Sequence, residues 1–551
     1  MKRMPRVAVV ALLAVGSCLV AWSAARAQAP KPVVVVSVAS LKKNLDDLAY
    51  GCRLAGAEDA GKSITFFANA LSAGIDRQRP AGLIVVPKPG DVHAVAFVPL
   101  DADGLKTILN IHREQLGEPR DAGGGLLEIG TGPRTAFVKE QNGWAFVAES
   151  KEHLSGLPQD PASLLGEMPQ RYNLAAKVLI QNIPAEVRQM ILDEIKLGME
   201  RMAAAQREQG GADLRQQMRN LGGVYLASID RLFNEVEELT LGIGLQAESR
   251  SAVVEVLQVV KAGSSTAKAL ADTAALKPAF SHAFVLPGAS VSLQGRGATD
   301  PQSVRDAQSM LKSLGETFRK QIDDAPDIPA DKREPIKELL TQYLDFIGKI
   351  VATGKAEGGG TLMLQPGSVA FAFGLTIPDA ASLEKLLNSA LALGKDIPDF
   401  PKLEMNVATL GELKVHRLLT PPIPEPEAVA LLGERLEMLI AVGPKHAYLV
   451  GGKDARGLLD KLVAAAATPP RDDLPQMELQ VSLVPILRFA QSIDENPIVG
   501  QILRSLENAG KDQIMLSSRI QQRQVITRFE VQEGILQAIG QAVKALGALN
   551  L

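Results

Sequence analysis

The sequence predicts an α+β fold, internally duplicated, with two lobes that each carry a mainly antiparallel sheet packed by helices. Three observations predict it. Residues 82–157 and 360–459 carry one pattern twice. It opens as "GLIVVPKPGDVHAVAFVPLDADGLKTIL" against "GTLMLQPGSVAFAFGLTIPDAASLEKLL" at a spacing of 278 (Gly82 with Gly360, Leu105 with Leu383). It closes as "GWAFVAESKEHLSGL" against "KHAYLVGGKDARGLL" at a spacing of 302 (Phe146 with Tyr448, Lys151 with Lys453). Around both copies, short β-branched runs bounded by turn residues alternate with segments of helical period. Finally, 551 residues exceed what one hydrophobic core organises.

The elements follow in order. "PVVVVSV" (32–38) is a strand, and 41–54 and 64–75 are helices, the second with Ile64, Phe67, Leu71 and Ile75 on one stripe. Strands at 82–86 and 92–99 flank the turn "KPGD", and Asp101 or Asp103 caps a helix bearing Leu105, Ile108 and Leu109. On the strand after the turn, His93, Val95 and Phe97 align with Phe371, Phe373 and Leu375, while Ala94 and Ala96 align with Ala372 and Gly374. One face is therefore bulky and the other small, and the bulky face is expected to meet the core. Strands at 126–129, 135–139 and "GWAFVAES" lead to a helix at Lys151; the second copy adds a Pro-rich loop at 418–437. "NLAAKVLIQNIPAEV" and "MELQVSLVPILRF" are strands running into helices that start at Pro184 and Pro485. The first of these helices resumes after Gly210 and Gly211 through Leu214, Met218 and Leu221. Paired strands and a helix close each half, with the last helices at 264–276 and 535–549. Between the halves lie a strand at 283–293 and a helical insertion at 299–355, so the lobes are drawn as 28–277 and 278–551.

Composition narrows the class. The chain is 46% hydrophobic and 22% charged, as globular proteins are, and its 4% aromatic content leaves the core to Leu, Val, Ile and Ala. Residues 1–27 read as an export signal: Lys2, Arg3 and Arg6, then the apolar run 7–20, then Ala25-Arg26-Ala27 with cleavage after Ala27. Cys18 in "VGSC" loosely fits a lipobox, but Leu19 to Trp22 continue the apolar run where a lipidated Cys would open a polar tether. A periplasmic or secreted location is the expectation. No later stretch reaches the roughly 18 apolar residues of a membrane span. Loss of Lys2, Arg3, Arg6 and Arg26 with the signal moves the net charge from -3 to -7. That mild acidity, without clustered Lys or Arg, speaks against a nucleic-acid partner. Only Cys52 remains, so no intrachain disulfide forms.

The strings "GWAFVAES" and "RYNLAAKVLIQNIPAEVRQ", with their second-half counterparts, resemble signal-peptide-bearing bacterial proteins of the planctomycete type that carry duplicated α+β units. The resemblance implies the architecture and export, and it implies no chemistry.

Motifs that carry chemistry are few. Gly56, Gly61, Lys62 and Ser63 satisfy the phosphate-loop expression G-x-x-x-x-G-K-[ST], but the preceding "LDDLAYGCRLA" reads as helix where that loop follows a strand. Glu58 and Asp59 would oppose a polyphosphate, so the match is read as a chance one in an inter-helix turn. Asp101 and Asp103 resemble the start of a calcium loop that lacks the later ligands, and they are read as helix caps. Gly242 and Gly244 fit G-x-G-x-x-A but precede a strand, and are read as permitting another backbone to approach. The six histidines (His93, His112, His153, His282, His416, His446) show no metal spacing, and no nucleophile motif occurs. Met190, Met199, Met202 and Met218 form a stripe suited to a core or an adaptable groove, and Pro421 to Pro426 form a stiff loop. No catalytic, cofactor-binding or metal residue is assigned. The expectation is an exported, non-catalytic binding, scaffold or interaction protein whose partner, a protein or a hydrophobic ligand, the sequence does not name. A carrier of a hydrophobic or lipid-like ligand is the alternative, and an extracytoplasmic hydrolase the third reading.

Overall fold

The computed structural model describes residues 31–88, 91–131, 134–205, 226, 229–395 and 400–549. The readings of 1–27 and of Gly210, Gly211, Leu214, Met218 and Leu221 lie outside them. The chain divides into two compact units, Met1–Lys261 and Ala262–Leu551. No described helix is long and apolar enough to cross a membrane.

Among the described residues of the first unit, alternation of apolar residues and short turns gives ten strands. They are β1 (Val34–Val38), β2 (Ala81–Lys88), β3 (Asp91–Pro99), β4 (Arg120–Gly123), β5 (Leu126–Thr131), β6 (Arg134–Gln141), β7 (Trp144–Ala148), β8 (Leu174–Leu179), β9 (Val236–Gln246) and β10 (Ser251–Val260). They pair in the order β10-β9-β8-β1-β2-β3-β7-β6-β5-β4, all antiparallel.

The second unit also has ten. They are β11 (Val291–Ala298), β12 (Lys355–Gln365), β13 (Ser368–Thr376), β14 (Lys402–Leu410), β15 (Leu413–Leu419), β16 (Glu437–Val442), β17 (His446–Gly452), β18 (Met477–Ser482), β19 (Gln513–Gln521) and β20 (Gln524–Gln532). Their order, β20-β19-β18-β11-β12-β13-β17-β16-β15-β14, is again antiparallel throughout and repeats the first strand for strand. Helices Leu41–Leu54 and Glu58–Leu71 stand between β1 and β2, and Pro301–Asp324 and Ala330–Ala352 stand between β11 and β12. The segment 299–355 therefore lengthens a helical hairpin that the first unit already has. The Pro-rich loop, with helix Pro426–Leu432, joins β15 to β16.

Hairpin register corrects the gapless alignment. β2 and β3 pair Lys88 with Asp91, and β12 and β13 pair Gln365 with Ser368, so the true spacing here is 277 and Gly82 matches Gly359. A one-residue slip moves every side chain to the opposite face of a strand. His93, Val95 and Phe97 are buried as expected, but their structural counterparts are Ala370, Ala372 and Gly374, which are also buried. Phe371, Phe373 and Leu375 take the other face, where Phe373 is 56% exposed. The bulky face thus meets the core in β3 and turns away from it in β13. The room above Gly359 and Gly374 is filled by Phe284, whose ring atoms lie 2.5 and 2.6 Å from where their Cβ atoms would be.

Other expectations shift in smaller ways. The strand expected at 283–293 begins only at Val291, because Ser281–Phe284 is a 3-10 turn. Its start is held by Glu357, whose carboxylate accepts from Phe280 N–H (2.9 Å) and Ser281 N–H (2.7 Å). β4 (RDAG) carries no apolar alternation and was not expected; β14 does alternate, through Leu403, Met405 and Val407, and was missed. The helix expected at Lys151 is only a 3-10 turn, Lys151–Leu154, whereas the second unit has a full helix, Ala455–Ala466. Helix Glu58–Leu71 starts before the expected 64 and ends before Ile75, which instead bridges Leu100. The unit boundary falls ahead of 278 because helix Ser265–Ala274 packs on β11 and β19.

One sheet face in each unit is closed by packing. In the first, Val35, Ile84, Val95, Phe97 and Phe146 lie beneath Leu154, Leu165, Met168 and Tyr172. In the second, Ala370, Ala372, Val415, Ala441, Tyr448 and Val450 lie beneath Phe280, Phe284 and helix Ala455–Ala466.

Candidate functional site

The opposite sheet faces are apolar and only partly covered. In the first unit, helix Gly104–Ile111 covers the β5–β7 side through Leu105, Leu109 and Val138. Helix Ala185–Ala205 seals Val178 and Leu239 with Ile191, Leu192 and Phe233. Between these, two cross-strand rows remain open, Val38–Leu174–Ile243–Val254 and Val36–Ala176–Leu241–Val256. Leu174, Ile243 and Leu241 are among the exposed apolar residues. The second unit has the equivalent row Leu293–Leu479–Leu516–Phe529, continued across Gly360 to Phe373. Contiguous apolar surface of this kind marks binding surfaces more often than isolated exposed leucines do.

The second unit adds a formed groove. Helix Ala330–Ala352 carries one long apolar stripe, with Ile336, Leu339, Leu340, Tyr343, Phe346, Ile347 and Ile350 at spacings of three and four. Its C-terminal part, Phe346, Ile347 and Ile350, packs toward Ile377, Val442 and Ala447. Its N-terminal part, Ile336, Leu339, Leu340 and Tyr343, runs beyond that cluster and lines a groove of about 700 Å³ with Phe318, Ile322 and Ile328 from one side and Leu386, Leu387 and Ala390 of helix Ala380–Gly394 from the other. Gln321 is the one amide among otherwise apolar and aromatic lining residues. Its size is that of pockets that take small organic ligands. What the arrangement offers chemically is an open apolar surface, with the amide of Gln321 and the phenol of Tyr343 as its polar groups and no carboxylate, amine, imidazole or thiol in its lining.

The residues singled out from the sequence lie elsewhere. Gly56 sits in the turn after helix Leu41–Leu54 at φ +66°, and Gly61 packs inside the next helix against Cys52. Lys62 is exposed and pairs with Glu58 (3.1 Å) and Asp59 (3.5 Å), which raise its pKa. Ser63 is exposed on the same helix. The element before this turn is a helix, and a phosphate loop is held after a strand. Asp103 stands at the start of helix Gly104–Ile111 in the left-handed region (φ 55°) and makes no side-chain cap, against expectation. Asp379 does cap its helix, accepting from Ser382 N–H (2.6 Å). Asp103 and Asp379 hold the same place, the residue just before the first turn of their helices, and only Asp379 uses its side chain there. Gly242 lies under the Tyr172 ring and Gly244 beside Asn173. Pro421 to Pro424 are tied down by Ile423 N–H donating to Glu434 O (2.9 Å).

The histidines do not converge as a group. His93 and His153 stack at 4.2 Å, and His446 stacks on Phe280 at 4.8 Å. His416 is fully buried, its Nδ1 accepting from Asn406 N–H (3.0 Å). His112 and His282 ring nitrogens lie 3.0 and 2.9 Å from the carbonyl oxygens of Leu71 and Thr468. Burial pushes the pKa of both His416 and His446 down, and pushes Tyr448 up. Among the described residues, no group of three or more His, Cys, Asp or Glu is placed to hold a metal ion. Met190 is half-buried on helix Ala185–Ala205, while the side chains of Met199, Met202 and Met218 lie outside the described residues. The groove on helix Ala330–Ala352 went unnoticed in the sequence, although its signal was there: a single apolar stripe from Ile336 to Ile350, longer than the sheet-side cluster covers.

No protein-family model, no curated protein and no solved structure matches the chain.

Proposed function

We propose that this is an exported, non-catalytic binding protein and that its ligand is apolar. The observation that supports this best is the 700 Å³ groove between helices Pro301–Asp324, Ala330–Ala352 and Ala380–Gly394, walled by Ile, Leu, Phe and Tyr. Such a wall takes an acyl chain or a similar hydrocarbon, each buried methylene adding about 0.8 kcal/mol. The half-open apolar sheet faces of both units fit the same class of ligand. Native mass spectrometry of the mature chain purified from a lipid-rich extract tests it. Co-purifying mass of lipid size supports a carrier, and a clean unliganded mass with no uptake of a fluorescent fatty acid removes it.

The second reading, an interaction protein for a polypeptide partner, is favoured by the exposed row that includes Leu293, Phe373 and Phe529, which would suit an amphipathic helix. Export rests on residues 1–27 and is tested by the N-terminal sequence of the chain recovered outside the cytoplasm. A mature start at Gln28 is the expected result. Duplication of an ancestral unit is supported by the matching strand orders and by the 277 and 302 spacings.

A further inference from the structure

The hairpin that carries the apolar groove also carries a cationic cleft, and we infer that this cleft binds a phosphate group. It is separate from the groove. Its volume is about 580 Å³, and it is bounded by Gln308, Leu311, Gly315, Phe346 and their neighbours on helices Pro301–Asp324 and Ala330–Ala352, and by Ser382 on Ala380–Gly394. Lys312, Arg319, Lys349 and Lys385 line it, against a single carboxylate, Asp345.

Two of these cations are fixed by neutral hydroxyls. Arg319 Nη2 donates to Thr341 Oγ1 (3.0 Å), and Lys349 Nζ donates to Ser382 Oγ (2.9 Å). A hydroxyl partner orients a cation without cancelling its charge, whereas a carboxylate partner cancels it. The contrast is visible on the same hairpin, where Lys337 pairs with both Asp323 and Glu334. Among the described residues, no ion pair reaches Lys312, Arg319, Lys349 or Lys385. Asp379, whose carboxyl accepts from Ser382 N–H and from the Ser382 hydroxyl and is held low by these bonds and then by Lys349, stands just behind the lining. Four cations thus meet two carboxylates and leave a formal excess of two positive charges in a chain that is acidic overall.

A monocarboxylate would neutralise one of them and leave the other uncompensated. A phosphate monoester brings close to two negative charges and three acceptor oxygens, which suit ammonium groups converging from three helices and the fork of Arg319. The cleft is larger than the phosphate itself, so the phosphate is expected to be one end of an organic molecule. Two sources share this chemistry, a soluble phosphate ester and the headgroup of a phosphorylated lipid.

The test titrates the full mature chain with glycerol 3-phosphate by calorimetry and measures co-sedimentation with phosphatidylcholine vesicles containing or lacking phosphatidic acid. Acetate is the monoanion control. A variant with Lys312→Gln, Arg319→Gln, Lys349→Gln and Lys385→Gln is compared with Lys42→Gln, Lys106→Gln, which neutralises exposed lysines of the first unit. Circular dichroism melts verify that both fold. Binding of the soluble ester or of phosphatidic-acid vesicles, weakened at least tenfold in the cleft variant and unchanged in the control, is expected; the arm that responds identifies the source. Absence of binding in both arms, equal binding of acetate, or equal losses in the two variants would overturn the assignment. Because acyl uptake is read separately, failure here leaves the apolar groove standing.

Discussion

Gly242 of β9 lies directly beneath the ring of Tyr172: a Cβ placed on it would stand 2.4 Å from Tyr172 Cδ1. Tyr172 is buried, and its hydroxyl donates to the carboxylate of Glu255, which also pairs with Arg171. Gly242→Ala must push the ring and loosen its hold on a buried carboxylate, so a loss of about 1–3 kcal/mol is expected from overpacking. In a Tyr172→Ala background the same substitution should cost little, because the clash is gone. Urea denaturation of the four proteins measures this. Equal costs in both backgrounds would show that the close approach to Tyr172 is not what requires glycine.

The two helix starts at Asp103 and Asp379 should respond differently to substitution. Asp379 accepts from Ser382 N–H and from its hydroxyl, with its pKa lowered mainly by that backbone bond. Asp379→Ala is expected to lower the melting temperature, as loss of an N-cap does. Asp103 makes no such bond and sits at φ 55°, a region that glycine occupies without strain. Asp103→Gly should therefore be neutral or slightly stabilising. Thermal melts in which Asp103→Gly loses as much as Asp379→Ala would contradict the observed caps.

Acid should weaken the second unit through its buried histidines. Burial holds His416 below its ordinary value of 6.5, against the raising field of Glu384, and does the same to His446 against Glu357 and Glu412. The unfolded chain then takes protons that the folded chain refuses. The contribution of these two groups to stability should therefore be constant above about pH 7 and fall as pH drops through 6.5 toward their lower folded values. His416→Gln and His446→Gln should each flatten part of that slope between pH 7.5 and 5.5, read from urea midpoints. A slope unchanged in both variants would assign the pH dependence to other groups.

Much of this architecture could be read from residues, and the failures share a cause. Ladder pairs such as Gln513–Gln521 with Gln524–Gln532 announce themselves by β-branched alternation around a two-residue turn. Helices Leu41–Leu54 and Ala330–Ala352 follow from their periodicity. The slip at β13 is legible at the turn, where Pro89, Gly90 and Val92 match Pro366, Gly367 and Val369 at 277 and not at 278; anchoring on Asp101 with Asp379 and Leu105 with Leu383 hides it. The pairings of Lys88 with Asp91 and of Gln365 with Ser368 decide it. The cationic cleft was illegible for a different reason: Lys312, Lys349 and Lys385 lie on three helices, and each looks like an ordinary solvated lysine until packing brings them to one cleft.

The two ends of the apolar stripe on helix Ala330–Ala352 separate binding from folding, and they give the sharpest test of the apolar groove. Leu340 lines the groove and is half-buried there, while Phe346 is 7% exposed and packs in the sheet-side cluster. Leu340→Asp puts a carboxylate in the channel at a position that water can still reach, so uptake of a fluorescent fatty acid should fall at least tenfold while the melting temperature moves by no more than a few degrees. Phe346→Ala removes a buried ring and should cost about 3–5 kcal/mol, with residual folded protein still taking up the probe. If Leu340→Asp binds the fatty acid as well as the parent chain does, the groove is a packing feature of the hairpin, and the ligand must be sought on the open rows of β8, β9 and β10 or of β18, β19 and β20.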